Sequence, residues 1–168
     1  MRWDQFTDAC PELAALARDR FVKDQLVLLG TIRSDGRARI SPCEIDFATG
    51  RLLLGMMWQS PKARDLARDP RLTVHSVPSG KDNPGGDVKL YGLAIDEQDG
   101  GVRAEFRQAI RARIDWEPDE PYHLFSLDVD EATFMRFADD GKQTWRWNQR
   151  SGLRKEQLAN APGADAAL

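Results

Sequence analysis

Histidine and cysteine are scarce in this chain, with two of each among 168 residues. His75 and His123 have no second His or Cys at ligand spacing, so both read as wall or surface side chains and no metal is expected. Cys10 and Cys43 lie far apart with no CxxC pattern; two buried thiols are expected, with a single disulfide as the alternative. Long apolar runs are also missing. The longest are Leu26–Leu29 and Leu52–Trp58, the second broken by Gly55, and neither approaches the ~20 residues of a membrane span. No charge of one sign dominates: 24 basic against 27 acidic residues leave −3. A nucleic-acid binder needs a concentrated basic face, so that partner is not expected. The opening MRWDQFTDAC has two acidic residues and no apolar h-region, unlike a signal peptide. A cytoplasmic globular domain is the expectation.

What is present suffices for one core, since 41% of the residues are hydrophobic. Of the 24 basic residues 18 are Arg, which suits bidentate binding of phosphate or carboxylate but equally fits codon bias in a GC-rich genome. Glu12–Lys23 carries Leu13, Leu16, Ala17 and Phe21 on one stripe and reads as a helix behind Pro11. Leu26–Arg33, Arg37–Phe47 and Arg51–Trp58 read as strands joined by the turns Ser34-Asp35-Gly36 and Ala48-Thr49-Gly50, an antiparallel meander. Pro42 inside the second strand implies a bulge or an edge without a ladder partner. SPKARDLARDP reads as a short helix with Ser60 at its cap, Pro61 at its first position and Pro70 as its stop. Arg71–Val77 and Val88–Asp96 are further strands, separated by a polar loop over Pro78–Asp87.

Val102, Phe106, Ile110 and Ile114 recur every four residues and predict a second long helix. Tyr122–Val129 and Thr133–Phe137 are expected as two short strands, and Gln143–Asn148 as a last one. The domain is expected to span 1–148, with 149–168 a flexible C-terminal tail. Many short antiparallel strands with a few helices predict a mainly β, α+β chain: a closed or partly split barrel, which removes sheet edges.

The chemistry concentrates between Gly36 and Val77. The helix opening at Ser60–Ala63 offers unpaired backbone N–H groups and the positive end of a dipole, a place for an anion, or else an ordinary capped helix. Lys62 adds a charge and Ser60 a hydroxyl; Arg64 reaches the same anion or points to water. Met56-Met57 reads equally as core. Trp145-Arg146-Trp147 is a stacking site or an interface anchor. Asp8, Asp24, Asp69 and Asp96 read as caps and surface charges. Ser76 beside His75 on one strand is no catalytic pair, because neighbouring strand residues face opposite ways.

The runs G-R-A-R-I-S-P, L-L-L-G-M-M and S-P-K-A-R-D-L-A-R-D-P-R-L-T-V resemble the pyridoxamine 5′-phosphate oxidase-like family. The likeness covers Leu26–Val77 well, and Val88–Asp96 and Trp145 loosely. It implies a six- to eight-stranded antiparallel split β-barrel of the FMN-binding type, working as a homodimer with cofactor at the interface. It implies that Ser60 and Lys62 hold the cofactor phosphate, and that Arg39, Ile40 and Ser41 line the ring or ribityl chain, mostly by main chain. Met56 and Met57 would flank the ring, and Trp145 and Arg146 would arrive from the partner. The expected activity is an FMN-dependent oxidoreductase acting by hydride transfer on a small molecule, with no catalytic side chain singled out. Two departures matter. Ser60-Pro61-Lys62 stands where family oxidases carry Ser-Arg-Lys, and the Arg-Leu-x-Pro ending that binds pyridoxal phosphate is absent. The alternatives are an F420-dependent reductase of the same fold, whose acidic tail would need a basic groove from Arg33, Arg64, Arg68 and Arg71, or a non-catalytic flavin- or haem-binding protein. The loops Pro78–Asp87 and Glu117–Pro121 are expected to decide substrate size.

Overall fold

Alternation of apolar and polar residues places every second side chain of each strand inward, and the computed structural model, which describes residues 1–78, 80, 83, 85–138 and 141–159, closes those strands on themselves. The chain runs α1 (Trp3–Ala9), α2 (Pro11–Asp24), β1 (Leu26–Ile32), β2 (Ala38–Ala48), β3 (Arg51–Met57), α3 (Pro61–Arg68) and β4 (Arg71–Ser76). It continues as β5 (Asp87–Asp96), α4 (Gly100–Ile114), β6 (Tyr122–Ala138), β7 (Gly141–Asn148) and β8 (Gly152–Leu158). The sheet order is β3-β2-β1-β4-β5-β6-β7-β8, and a further β3–β6 pairing closes the first six into a barrel. Every pairing is antiparallel. No helix among the described residues is long and apolar enough to cross a membrane.

The barrel interior is one cluster containing Val27, Leu29, Ile45, Leu54, Val74, Leu90 and Phe125, all buried. Helices supply its remaining walls: α2 contributes Leu13, Ala17 and Phe21, and α3 contributes Ala63 and Leu66. The fourth helix lies outside, where Val102, Phe106 and Ile110 form a second small core with Leu53, Tyr122 and Leu124. Asp99 caps it, accepting a bond of 3.0 Å from the Val102 N–H. Both cysteines are buried and free.

Three expectations change. A short helix, α1, precedes α2; Trp3 and Phe6, three apart, are its buried pair. The two strands expected across 122–137 are one, β6, because the acidic Asp130-Glu131 step is absorbed as a bulge rather than a turn: Gly92 pairs with Val129 and Tyr91 with Glu131, leaving Asp130 unmatched. Gly92 makes this fit, since a Cβ there would stand 1.9 Å from the Asp128 carbonyl oxygen. The tail expected from 149 is also shortened. β8 pairs along its whole length with β7, polar because it is a solvent-facing edge, while residues 160–168 lie outside the described residues.

The feature that positions the site is a parting of strands. β2 pairs with β3 only through Ile45↔Leu54 to Ala48↔Arg51. β2 nevertheless stays on β1 back to Ala38, and β3 stays on β6 out to Met57. From Glu44 and Gly55 onward the two strands diverge and the barrel wall opens. Pro42, opposite Leu28 in register, sits on that open side, where a missing N–H costs no ladder bond.

Candidate functional site

A cleft of about 610 Å³ occupies the parting. One wall is β2, with Pro42, Cys43 and Glu44; the facing wall is β3, with Gly55, Met56 and Met57, followed by Trp58. Lys62 of α3 stands at one end. The far side is built from Phe106 and Ile110 of α4, and from Trp116, Pro118, Asp119, Pro121 and Tyr122. Such a mostly apolar concavity with few polar groups is the usual form of a small-molecule site.

Two side chains bridge the parting. Lys62 Nζ donates to the Pro42 carbonyl at 2.6 Å, which leaves further ammonium donors for a ligand. The Cys43 thiol reaches the Gly55 carbonyl at 3.6 Å, a weak bond where a ladder bond has ended. Burial pushes that thiol up to about 11, against a smaller opposing pull from Lys62, so it is a neutral floor group rather than a nucleophile. Gly55 is required by packing: a Cβ there would meet the Phe106 ring at 2.6 Å.

The opening of α3 is anchored beneath the cleft. Pro61 takes its first position and the Arg64 N–H donates to the Ser60 carbonyl at 3.0 Å. The Ser60 hydroxyl makes no cap bond and is buried without a partner, which a native structure rarely tolerates unless something else satisfies it. Asp65, also on α3, ties the helix to two strands, accepting from Thr31 Oγ1 at 2.9 Å and Arg39 Nε at 2.6 Å. Burial works to raise the Asp65 carboxyl, but bonds from Arg39 and Thr31 outweigh it, and the net direction is downward.

Of the residues singled out from sequence, Met56, Met57 and Lys62 line the cleft. Met56 is buried and Met57 exposed, so only one of the pair is core. Ser60, the residue before α3, stands two positions ahead of Lys62 and does not itself line the cleft. Arg39, Ile40 and Ser41 continue β2 beyond Pro42, with Arg39 turned to Asp65 and Ile40 exposed. Trp145 and Arg146 are elsewhere: Trp145 packs edge-on against Phe134 under Lys155, and Arg146 pairs with Glu156. The far wall was not singled out, apart from the loop through Pro121. Its one sequence signal is the concentration of Trp and Pro in Trp116-Glu-Pro-Asp-Glu-Pro121. The other loop expected to shape the cleft, Pro78–Asp87, does not line it among the described residues.

No family model and no curated protein matches the sequence. Solved structures do match the fold. A pyridoxamine 5′-phosphate oxidase-related, FMN-binding protein from Nostoc punctiforme superposes with a TM-score of 0.63 at 16% identity, covering 92% of this chain and 97% of that one. This chain has the pyridoxamine 5′-phosphate oxidase-type split-barrel fold. PhzG from Burkholderia lata, solved with tetrahydrophenazine-1-carboxylic acid, matches this split barrel with a TM-score of 0.63 at 14% identity, over 90% and 93% of the two chains. A haem-binding protein from Mycobacterium smegmatis shares the split barrel at a TM-score of 0.56 and 18% identity; the match covers 85% of this chain and 57% of that longer one.

Proposed function

We propose that the cleft binds FMN and that the protein is an FMN-dependent oxidoreductase acting by hydride transfer on a small molecule. The observation that carries this reading is the parting itself. β2 from Ala38 to Glu44 is paired on one side only, so the main-chain N–H and C=O of Ile40, which face the open side as the backbone of Pro42 does, are free for the edge of a heteroaromatic ring, while Arg39 and Ser41 bond to β1. Lys62, near the opening of α3, faces the same space and suits a phosphate, and the Ser60 hydroxyl at that opening is buried without a partner. Bound FMN would supply the hydride-accepting centre. The chain's own residues bind and orient: Lys62 neutralises the phosphate, Met56 and Met57 give a polarisable apolar bed, and the α4 wall excludes water.

FMN is favoured over F420 by the fate of the arginines. A basic groove for an acidic tail would need free guanidinium groups, yet of the four arginines it would use Arg33 pairs with Asp35, Arg68 with Asp65 and Arg71 with Asp69, which leaves the exposed Arg64 alone. The exposed Ile40 and Met57, 73% and 80% accessible, support a second copy covering the cleft rim, with its Trp145 and Arg146 brought in from that side.

The visible spectrum of the purified protein, with mass identification of whatever heat releases, tests the reading directly; a Soret band in place of flavin bands would overturn it. Lys62→Ala is expected to weaken FMN binding roughly tenfold to a hundredfold, the loss of one charge-assisted bond of about 1.5–3 kcal/mol. An unchanged affinity in a flavin-fluorescence titration would remove Lys62 from the phosphate site.

A further inference from the structure

Resting on the flavin reading for the Lys62 end, the far wall of the cleft can be assigned its own ligand class. We infer that the wall made by α4 and the Trp116–Tyr122 segment is a substrate subsite for a planar aromatic molecule that is uncharged or cationic, and that it rejects anions.

Charge on the lining carries the first part of this. Lys62 is the one cation on the lining among the described residues, and the flavin reading uses it for phosphate. The other charged lining groups are Glu44 and Asp119. Glu44 is shared with Arg113 at 3.4 Å, whereas no ion pair engages Asp119 among the described residues. Four arginines of α4 stand nearby and none lines the cleft: three are held by acids outside it, and Arg113 is shared between Asp46 and the lining Glu44. Arg103 and Arg107 pair with Glu120, Arg111 with Glu117, and Arg113 with Asp46 at 2.9 Å. The guanidinium groups nearest this end, Arg103 over the Tyr122 ring and Arg113 beside Glu44, are already neutralised by acids, so a carboxylate or phosphate would lose water without gaining an unpaired cation, and would meet Asp119.

Shape and polarity carry the second part. Trp58 and Trp116 are each 53% exposed although both line the cleft. Trp58 is held flat by stacking on His123, at 4.6 Å between centroids and 10° between planes. The exposed indoles, Trp116 on this wall and Trp58 following β3, offer faces for an aromatic ring, and the same faces attract cations. Tyr122, 4% exposed, lines this wall with a buried hydroxyl that has no partner. One hydrogen-bonding atom on the substrate would satisfy it.

The test is calorimetric titration of the full chain, FMN-free and FMN-saturated, with three probes on one ring: 2-naphthylmethylamine, 2-naphthylmethanol and 2-naphthoate. The amine and the alcohol are expected to bind at least about tenfold tighter than the carboxylate, or about 1.4 kcal/mol. FMN saturation should preserve that order. Asp119→Asn should erase the amine's lead over the alcohol and leave the alcohol unchanged; Trp116→Ala should weaken all three. A carboxylate that binds as well as the amine overturns the proposal, as does the absence of heat from every probe. Loss of all probes to saturating FMN would place the flavin itself on this wall, and affinity that falls as protein concentration rises would show a second copy filling it. Either result also overturns the subsite. Failure of FMN to bind would end the flavin reading alone; the probe order is then read on Lys62→Ala, where the amine and alcohol should still bind tighter than the carboxylate and an equal carboxylate overturns the subsite.

Discussion

A single glycine sets how close α4 can lie to the barrel. Gly55 sits in the run Leu52-Leu-Leu-Gly-Met-Met57, where nothing in the sequence distinguishes a glycine that is tolerated from one that is needed. The structure decides, because its missing Cβ makes room for the Phe106 ring at the cleft floor. Gly55→Ala is expected to push Phe106 and α4 outward and to cost about 1–3 kcal/mol by overpacking. Scanning calorimetry should then record a fall in melting temperature of about 2–4 °C per kcal/mol for a domain of this size. A melting temperature within a degree of the parent would mean that α4 yields freely.

Among the elements, α3 matters most because it joins strands that the parting would otherwise leave loosely connected. Asp65 is the joint, buried and held by Thr31 of β1 and Arg39 of β2. Asp65→Ala leaves the Arg39 charge without its partner. Breaking a buried pair costs about 3–5 kcal/mol, and the lower end is expected here because Arg39 reaches water. Chemical denaturation checks this, and Asp65→Asn should recover part of the loss through the Thr31 bond. The helix itself is legible: Ser60, Pro61 and Pro70 bound it. The tie through Asp65 was not legible, because the pairing of an acid with one of 18 arginines depends on three elements meeting in space. For the same reason the sequence does not show Trp116 and Tyr122 at the cleft beside the expected loop Glu117–Pro121, whereas β1 to β3 and their turns follow directly from alternation and Gly placement. Position 130 misled the reading of β6, since a bulge and a turn look alike when the partner strand is unknown.

At the level of the whole molecule, carboxylates shape the response to acid. Asp65 is lowered by its bonds from Arg39 and Thr31 against burial, and Asp69 is held at about 2 chiefly by Arg71. Asp35 is lowered as well, by Arg37. Each depressed group stabilises the fold above its ordinary value near 4 and loses that contribution as pH falls through the folded value, because the unfolded chain takes up the proton first. Stability is therefore expected to change little on their account between about pH 7 and 5 and to decline from about 4 toward 2. Denaturant midpoints measured across that range test this. Asp65→Ala should flatten the decline, and an unaltered slope would show that the pair does not couple to folding.

The ladder that closes the barrel joins the third strand to the sixth, with Leu53 opposite Ser126. β1 and β4 pair across two strands and a helix, and the remaining barrel pairings across a single connection, whereas this one must wait for two strands and two helices in between. Loop-closure entropy places it last, so the folding rate is governed by a seam that lies along the cleft wall. While that seam is open, the half-paired second strand beside it is the most exposed edge of the chain, and the time spent in that state sets the hazard of edge-to-edge association during folding.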